Sequence, residues 1–532
     1  MPFPRAPTAA ESRPLGWTTG ASFCPWRPVA LPRPARAPPQ ATCASFLTSP
    51  RFSWWRSKRC PRTRHLPTRC RTRENSKLTE GEIFGTDGIR GLAGEGWLSA
   101  AAVHAIGVAA GEVMSHGAHS PALLGHDGRR SGPLLEAALA AGLAQAGIEA
   151  RSVGMITTPG LAWLVRNGEF GLGCMLSASH NPAEDNGIKL FSAQGGKPTD
   201  DDQAAMEQLL GGTQGLTTLP EIDEATFASL DVDRALEHSY LEYLVRSEAL
   251  SLKGRSIVVD CAHGGGSHVA PETLRALGAE VHALACSPTG DNINDGCGST
   301  HPEAMQAAVR EHKAHLGIAL DGDGDRCILA DERGELVHGD GIMTVIGRHA
   351  AQSGQAADER IVATVMSNRG LNRALREVGV GVLEVGVGDR AVVEGMREHK
   401  LALGGEQSGH IILGGENGFI GDGMLTALRV LSVMHATGQD LSELAAPYKP
   451  YPQVLLNTPV ASKPVLADFP EVMAAVRAAE EALGEEGRVL LRYSGTENVA
   501  RVMVEGPDEQ LIQAQAQEVA DCIQAALRQS SP

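Results

Sequence analysis

The chain has few aromatic side chains, which make up 4% of its 532 residues. It contains no run of about 18 apolar residues, so no segment is predicted to span a membrane. Its ten cysteines are scattered without the CxxC spacing of zinc sites, and a reducing cytoplasm fits this usage best. The GxxxxGK[ST] motif is also absent, which disfavours a nucleoside triphosphatase.

Acidic residues are scarce at the start of the chain and abundant in the rest. Residues 1–80 contain 15 lysines and arginines against three acidic residues, a net charge of +12. Because the whole chain carries −16, the remainder carries −28. A strongly acidic body argues against a nucleic-acid-binding surface, so no nucleic-acid partner is expected.

The first 80 residues do not have the pattern of a folded domain. They hold 13 of the 30 prolines and show neither helical nor strand periodicity. A transit peptide and an arginine-rich arm that binds RNA or membrane are two interpretations. We favour a third, a start assigned too far upstream, and in every case we predict a disordered basic extension over residues 1–80.

From Phe84 onward, short apolar strand patterns alternate with Ala/Leu/Glu-rich helical patterns. This alternation predicts α/β units with parallel or mixed sheets. The final segment instead reads as strands followed by a closing helix. We therefore expect three consecutive mixed α/β domains and a small C-terminal α+β domain, with boundaries at 82–235, 236–336, 337–447 and 448–532.

The stretch GCMLSASHNPAEDNGIKLF, residues 173–191, places polar chemistry at the end of an apolar strand. An Asn-Pro turn with a capping serine is the simple structural interpretation. Ser179, His180, Asn181 and Lys189 nevertheless bring a hydroxyl, hydrogen-bond donors and a cation into one loop, and α/β proteins place their sites at such strand ends. The loop is not the GxSxG elbow of a hydrolase.

The stretch GIALDGDGDRCILAD, residues 317–331, alternates carboxylates with glycines. Asp321, Asp323 and Asp325 fall on one side of an extended segment and would repel one another without a divalent cation. An EF-hand is rejected because its sixth position must be glycine and is Arg326. We therefore predict a metal site.

Three further loops carry weaker signals. FGTDGIRG at 84–91 offers close backbone approach and a cation, Arg90. GHDGRRSG at 125–132 could bind an anion at a helix N-terminus or only cap the helix with surface arginines. GGEQSGHIIL at 404–413 alternates Glu406, Ser408 and His410, which would face sugar hydroxyls if extended.

A possible phosphate cradle lies near the C-terminus, in LLRYSGTENVARVMVEG at 490–506. Guanidinium groups, hydroxyls and turn amides suit a phosphate. The residues of this cradle are Arg492, Ser494, Gly495, Thr496 and Arg501.

In chain order, SASHNP, DGDGDR, GEQSGH and RYSGTEN resemble the four active-site loops of the α-D-phosphohexomutases, and the resemblance covers residues 82–528. It implies a four-domain, heart-shaped molecule with one loop from each domain in a central cleft. It also implies that Ser179 carries a phosphoryl group. One Mg²⁺ would be bound by a phosphate oxygen on Ser179 and by Asp321, Asp323 and Asp325.

The resemblance also implies roles for the other loop residues. Arg326 would lie beside the phosphoserine, while His180 and Lys189 would assist proton transfer. The sugar would be bound by Glu406, Ser408 and His410. The non-reacting phosphate would be held by Arg492, Ser494, Gly495, Thr496 and Arg501, with Arg90 as a further phosphate contact.

The implied reaction moves a phosphoryl group between O6 and O1 of a hexose phosphate through a 1,6-bisphosphate. Within the family, FGTDGIRG, GEQSGH and SGTE most resemble the branch that acts on glucosamine phosphates. Mannose or glucose phosphates are the alternative substrates, and a non-catalytic phosphosugar-binding protein is a second alternative. The resemblance implies a cytoplasmic monomer or homodimer without a membrane partner.

One departure from the family pattern bears on pH. The family usually has Lys or Arg, then Asp-Thr-Arg, where this chain has His126-Asp127-Gly128-Arg129. An imidazole titrates closer to neutral pH than either of those cations. We therefore expect His126 to make the activity more pH-dependent.

Overall fold

The computed structural model describes residues 83–85, 88–115, 120–219, 222–354, 360–414, 418–460, 462–493 and 498–529. The predicted disordered extension over residues 1–80 lies outside these residues. All described residues belong to one compact unit of the chain. Within them, no helix is both long enough and apolar enough to cross a bilayer.

The first sheet has five strands in the order β1-β5-β4-β2-β3. Strands β2, β3 and β4 are parallel, whereas β5 runs antiparallel to β4 and to β1. The elements of this region are β1 (Ile89–Leu92), α1 (Ala100–Met114), β2 (Ala122–His126), α2 (Gly132–Gln145), β3 (Ala150–Met155), α3 (Thr158–Asn167), β4 (Leu172–Leu176), β5 (Asp185–Ser192), α4 (Asp200–Leu210), α5 (Gly212–Gly215) and α6 (Arg234–Ser247).

The second sheet has the order β10-β9-β8-β6-β7, and the third has the order β12-β11-β13-β14. The second comprises β6 (Ser256–Asp260), α7 (Val269–Ala276), β7 (Glu280–Leu284), α8 (Glu303–His312), β8 (Leu316–Leu320), β9 (Cys327–Ala330) and β10 (Leu336–Val337). The third comprises α9 (Gly339–Gln352), β11 (Arg360–Thr364), α10 (Arg369–Arg376), β12 (Gly381–Val385), α11 (Asp389–His399), β13 (Leu403–Gly405), β14 (Ile411–Leu413), α12 (Gly423–Thr437) and α13 (Leu441–Ala445).

The last sheet is antiparallel, in the order β15-β17-β16. Its buried side chains form a cluster with those of two helices, separate from the cluster that runs through the first three sheets. This arrangement agrees with the predicted small α+β domain at the C-terminus. Its elements are β15 (Gln453–Pro459), α14 (Pro470–Leu483), β16 (Arg488–Tyr493), β17 (Val499–Glu505) and α15 (Glu509–Gln529).

The first three sheets repeat one topology. In each, a parallel pair is followed by an antiparallel hairpin, formed by β4 and β5, by β8 and β9, and by β13 and β14. The turn of each hairpin carries one of the polar loops singled out from the sequence. The fold therefore presents SASHNP, DGDGDR and GEQSGH from equivalent places.

A repeated Leu-Gly pair marks the first strand of each hairpin. The glycines are Gly173, Gly317 and Gly404, and at each of them a helix packs closely against the strand. A Cβ added there would lie 2.6 Å from Val165 of α3, 2.2 Å from Met305 of α8 and 2.6 Å from Met396 of α11, respectively. Only glycine permits this close packing, so the sequence carries a faint trace of the repeat.

Helix α6 ties the first sheet to the third through a buried hydrogen bond. The Tyr240 hydroxyl donates to Oδ2 of Asp422 over 2.8 Å, and both side chains are almost fully buried. Asp422 also accepts from the Leu425 amide, which caps α12. Burial raises the pKa of Asp422 to about 6, so at pH 8 this carboxylate is charged and depends on its donors.

We expect Tyr240→Phe to lower the free energy of unfolding by about 1–3 kcal/mol at pH 8, because the buried carboxylate of Asp422 loses a donor that water cannot replace. Urea unfolding measures the change. Tyr451→Phe is the matched control, since its hydroxyl donates over 2.8 Å to the exposed Glu486, where water can take its place. Equal losses in the two variants would contradict the assignment.

Candidate active site

Ser179 lies in the turn of the first hairpin in an uncommon backbone conformation. Its φ is +53°, in the left-handed region that favours glycine, and it is 1% exposed. Its hydroxyl donates to Oδ2 of Asp321 over 2.7 Å and lies 3.2 Å from Nδ1 of His180. Two loops that are 142 positions apart in the chain thus meet at one hydroxyl.

The guanidinium of Arg129 fixes the backbone of this turn. It donates to four backbone carbonyl groups, those of Ser179, Asn181, Pro182 and Asp185. Its Nε lies 2.9 Å from Asp127, and neither side chain of this ion pair is exposed. The sequence pattern fits either an anion site or a helix cap with surface arginines. The structure contradicts the surface position, because Arg129 is buried and donates its hydrogen bonds to the backbone of the turn.

Two further side chains fix the same turn. Ser177 donates to Asp127 over 2.7 Å and accepts from the Ser179 amide over 2.8 Å. The side-chain amide of Asn294, from the second sheet's loops, donates to the carbonyl oxygens of Ser179 and Asn181 over 2.9 and 3.1 Å. Sequence reasoning missed Asn294, since nothing in its local sequence indicates that it contacts a loop more than 100 residues away.

The carboxylates of the metal loop converge as predicted. Oxygens of Asp321, Asp323 and Asp325 all lie within 4.8 Å of one another, and all three residues are buried. Lys189 lies against them, with Nζ 2.6 Å from Asp323 and 3.1 Å from Asp325. Thr158 of α3 also donates to Asp323 over 2.5 Å.

The electrostatics of this cluster fit a divalent cation. Burial, together with the charges of Asp325 and Asp323, raises the pKa of Asp321 to about 8. One oxygen of Asp323 is buried without a hydrogen-bond partner. A donor set of carboxylate oxygens is the kind that Mg²⁺ prefers, and its charge would relieve the repulsion.

Two further cationic side chains lie beside these carboxylates. Nε of Arg326 lies 4.0 Å from Asp321 and 3.9 Å from Asp325, and Nδ1 of His410 lies 3.5 Å from Asp325. Burial alone would lower the pKa of His410, but the charge of Asp325 raises it to about 9. Burial, Arg326 and Arg90 lower the pKa of His180 to about 4, so its imidazole is neutral at pH 7.

Asp325, Arg326 and His410 line a cleft of about 250 Å³, whereas Ser179, His180, Asp321 and Asp323 lie behind its lining. Side chains from the first three sheets line it, and those that the sequence singled out are Arg90, Lys189, Asp325, Arg326, Glu406 and His410. Such a mixture of buried acids and cations around a concavity is typical of a site for an anionic substrate. Ser408 is exposed and does not line the cleft.

The predicted phosphate cradle is described only at its two flanks. Arg492 on β16 and Arg501 on β17 are paired directly across the antiparallel ladder, so their side chains leave the sheet on the same face. Ser494, Gly495 and Thr496 lie outside the described residues. Two adjacent guanidinium groups remain suited to a phosphate.

Sequence reasoning also missed contacts across the cleft. Lys197, after β5, lies 2.7 Å from Asp389 at the start of α11, and Arg390 pairs with Asp200 of α4. The amide of Gly388 donates to Glu406 over 3.1 Å, which links this helix start to the GEQSGH loop. Ion pairs between distant segments leave no periodicity in the sequence by which to find them.

Four domain models of one sequence family match successive parts of the chain. They are the phosphoglucomutase/phosphomannomutase α/β/α domain I over residues 81–214, α/β/α domain II over 238–334, α/β/α domain III over 338–451 and C-terminal domain over 455–522. A crystal structure of a phosphoglucomutase/phosphomannomutase family protein from Burkholderia thailandensis is similar in fold, with a TM-score of 0.68 and 25% identity over 85% of this chain and 98% of that chain. These likenesses confirm the multi-domain α/β fold of a phosphohexomutase.

Two curated relatives narrow the class further. The phosphoglucosamine mutase of Anaeromyxobacter sp. is 45% identical over 451 residues, which are 84% of this chain and 96% of that protein. The phosphoglucosamine mutase of Rhodococcus jostii is 45% identical over 445 residues, 83% of this chain and 99% of that protein. The chain belongs to the phosphoglucosamine mutase family.

We expect Arg129→Lys to lower the free energy of unfolding by about 3 kcal/mol or more, because an ammonium cannot bridge four carbonyl groups and leaves buried Asp127 poorly paired. The catalytic turnover number, kcat, should fall at least 100-fold because the turn that contains Ser179 shifts. Urea unfolding and steady-state kinetics measure the two effects.

Arg130→Lys is the control for this variant. Arg130 is the next residue, but its pair with Asp291 is exposed on both sides. We expect the Arg130→Lys protein to keep both its free energy of unfolding and its turnover. An Arg129→Lys protein as stable and active as the Arg130→Lys protein would refute the role given to the buried guanidinium.

His126 ends β2, and burial lowers its pKa to about 4. The unfolded chain, with an ordinary histidine pKa, then binds more protons than the folded protein between pH 6.5 and 4. The stability that neutral His126 contributes is therefore full above about pH 6.5, and about 2 kcal/mol of it is lost by pH 5.

We expect His126→Asn to flatten the decline in unfolding free energy between pH 7 and pH 5. Asparagine keeps an acceptor for the Gly128 amide, which bonds Nδ1 of His126 over 3.2 Å, but it does not titrate. Urea unfolding at the two pH values measures the slope. His238→Asn, at an exposed position on α6, should leave the slope unchanged, and an equal effect there would contradict this prediction.

Proposed function

We propose that this protein is a phosphoglucosamine mutase, which interconverts glucosamine 6-phosphate and glucosamine 1-phosphate through a phosphoserine and a glucosamine 1,6-bisphosphate. The observation that carries the proposal is the hydroxyl of Ser179, buried in a fixed turn and 2.7 Å from Asp321 of the acidic cluster. A hydroxyl held there can carry a phosphoryl group beside a metal bound to the acidic cluster.

Positioning is the main contribution of the Ser179 turn. Arg129 and Asn294 hold its carbonyl oxygen, which fixes the backbone from which the hydroxyl extends. Phosphoryl transfer depends on in-line geometry and charge neutralisation more than on covalent help from the protein. A rigid serine turn supplies the first of these requirements.

Charge neutralisation is divided between a cation and the side chains of the cleft. Mg²⁺, held by Asp321, Asp323, Asp325 and an oxygen of the phosphoserine, would supply electrostatic stabilisation of the transferring group. Arg326 lies beside the same carboxylates and would contact the phosphoryl oxygens, and Arg90 also lines the cleft. These cations favour an anionic substrate over a neutral sugar.

Proton transfer to and from the sugar oxygen is proposed for Lys189 and His180. His180, neutral at pH 7 and 3.2 Å from the Ser179 hydroxyl, can accept a proton. Lys189 can donate one from its place against Asp323 and Asp325. Glu406 and His410, which line the cleft, are proposed to bind the sugar hydroxyls, whereas Ser408, expected from the sequence to join them, lies outside the cleft.

In this scheme each of the four proposed domains supplies one loop. The domains comprise residues 82–235, 236–336, 337–447 and 448–532. The C-terminal loop, with Arg492, Ser494, Gly495, Thr496 and Arg501, would hold whichever phosphate is not reacting. The bisphosphate could then turn over within the cleft and return its 6-phosphate to Ser179. The product, glucosamine 1-phosphate, would enter cytoplasmic UDP-N-acetylglucosamine and peptidoglycan precursor synthesis.

A side-by-side turnover assay tests the proposal. It uses the protein with Mg²⁺, a trace of the matching hexose 1,6-bisphosphate, and glucosamine, mannose or glucose 6-phosphate as separate substrates. We expect kcat/KM for glucosamine 6-phosphate to be at least tenfold higher, a difference of about 1.4 kcal/mol in transition-state binding.

Two variants complete the test. Ser179→Ala should lose nearly all turnover and keep its fold, because it lacks the acceptor hydroxyl. Ser442→Ala, a hydroxyl-to-methyl change at a contact with Glu332 remote from the cleft, should keep full turnover. Equal or greater use of mannose or glucose phosphate would move the protein to another branch of the family, and normal activity of Ser179→Ala would end the phosphoserine scheme.

A further inference from the structure

Two cysteines follow the ends of neighbouring parallel strands in the second sheet. Cys261 directly follows β6, and Cys286 lies two residues after β7. The register pairs Asp260 with Leu284, and the amide of Cys261 donates to the Leu284 carbonyl over 3.2 Å. The two cysteines are therefore close together although 25 positions separate them in the chain.

The backbone between the strand and Cys286 turns that side chain toward Cys261. In a regular strand, Cys286 would point to the face opposite Ala285. Ala285 instead has a φ of +46°, a left-handed conformation that is strained for alanine and breaks the alternation. The Cys286 thiol donates to the Leu284 carbonyl over 3.1 Å, the same carbonyl that accepts from the Cys261 amide, so the two cysteines meet at one oxygen.

The two thiols differ in chemistry. Cys261 is fully buried, whereas Cys286 is partly exposed. The neighbouring Cys261 thiol lowers the pKa of Cys286, whereas the Cys286 thiol and burial raise the pKa of Cys261. An accessible thiol with a lowered pKa beside a second thiol is the arrangement that favours disulfide exchange.

The neighbouring cysteine lacks these properties. Cys297 is buried, and burial raises its pKa to about 12, so it remains protonated. A protonated thiol is a poor nucleophile. Cys261, Cys297 and Cys327 are buried and Cys286 is partly exposed, so access from solvent favours Cys286 as the attacking sulfur, with the adjacent Cys261 as its partner.

The segment after Cys261 is connected to the candidate active site. Ala262 and His263 both have left-handed backbones, with φ of +52° and +51°. The carbonyl of Ala262 accepts from the backbone amide of Asn294 over 2.9 Å, and the side chain of Asn294 holds the carbonyl of Ser179. The Gly265 amide also donates to Gly322 of the metal loop over 2.8 Å.

We propose that Cys261 and Cys286 are a thiol pair whose reversible oxidation to a disulfide lowers the activity of the adjacent phosphoserine site. The oxidant is a low-molecular-weight disulfide. The Cys286 thiolate attacks one of its sulfurs and releases one thiolate. The Cys261 sulfur then attacks Cys286, releases the second thiolate and passes its proton to it.

The net change oxidises two protein thiols and reduces one small disulfide to two thiols. Closing the bond draws Cys261 toward Cys286 and displaces Ala262, because a disulfide holds its two β-carbons about 3.5–4.5 Å apart. Asn294 and the Ser179 turn move with it. The effect on turnover rests on the proposed function, whereas formation of the bond does not.

The test treats the full-length protein, with Mg²⁺, with oxidised glutathione, then alkylates it and maps its peptides by mass spectrometry without reduction. We expect a linked pair of peptides containing Cys261 and Cys286. We also expect turnover of glucosamine 6-phosphate to fall at least fivefold and to recover with dithiothreitol. Peptide mapping is needed because the chain has ten cysteines.

Two variants separate the possible outcomes. Cys286→Ser should keep basal turnover and resist the oxidant, whereas Cys522→Ser, a half-buried cysteine of α15, should remain sensitive. Absence of the linked peptides, with only a glutathione adduct on Cys286, would overturn the disulfide. A linked but fully active protein would overturn the switch. A protein that prefers another hexose phosphate would still form the bond, so failure of the proposed substrate would be recognised separately.

Discussion

A buried guanidinium, that of Arg129, holds the backbone of the turn that contains Ser179. Ser179 is kept in a left-handed conformation that costs about 1–3 kcal/mol and persists only where neighbouring groups enforce it. Arg129 and Asn294 enforce it by binding the same carbonyl oxygen. Asp127 in turn balances the guanidinium charge, so that neither charge is buried alone.

The second requirement is balance of charge in the cleft. Asp321, Asp323 and Asp325 would repel one another strongly if Lys189 and Arg326 did not lie against them. The same density of charge makes the site receptive to a divalent cation and to phosphate. A cluster that would destabilise a purely structural loop thus becomes useful for phosphoryl transfer.

The repeated hairpin topology brings these groups to one cleft, while the C-terminal sheet is attached by a further buried pair. Arg488 and Glu505 lie 2.9 Å apart, and Arg488 also donates to the Ser367 carbonyl beside the third sheet over 2.6 Å. Glu505 accepts from the Arg369 amide as well. The cradle strands β16 and β17 are therefore anchored to the third sheet by charges that lie at their own ends.

The sequence by itself determined the α/β class and singled out the acidic loop and the serine loop, because alternating glycines and carboxylates or a polar loop after an apolar strand are local patterns. It gave no sign of the bonds from Arg129 and Asn294 to Ser179, or of the contact between Cys261 and Cys286. Arg129 looked like a surface residue, since local sequence reports charge but not burial. Only the tertiary structure decided these contacts, because they join residues that are distant in the chain and meet where strands of separate segments end.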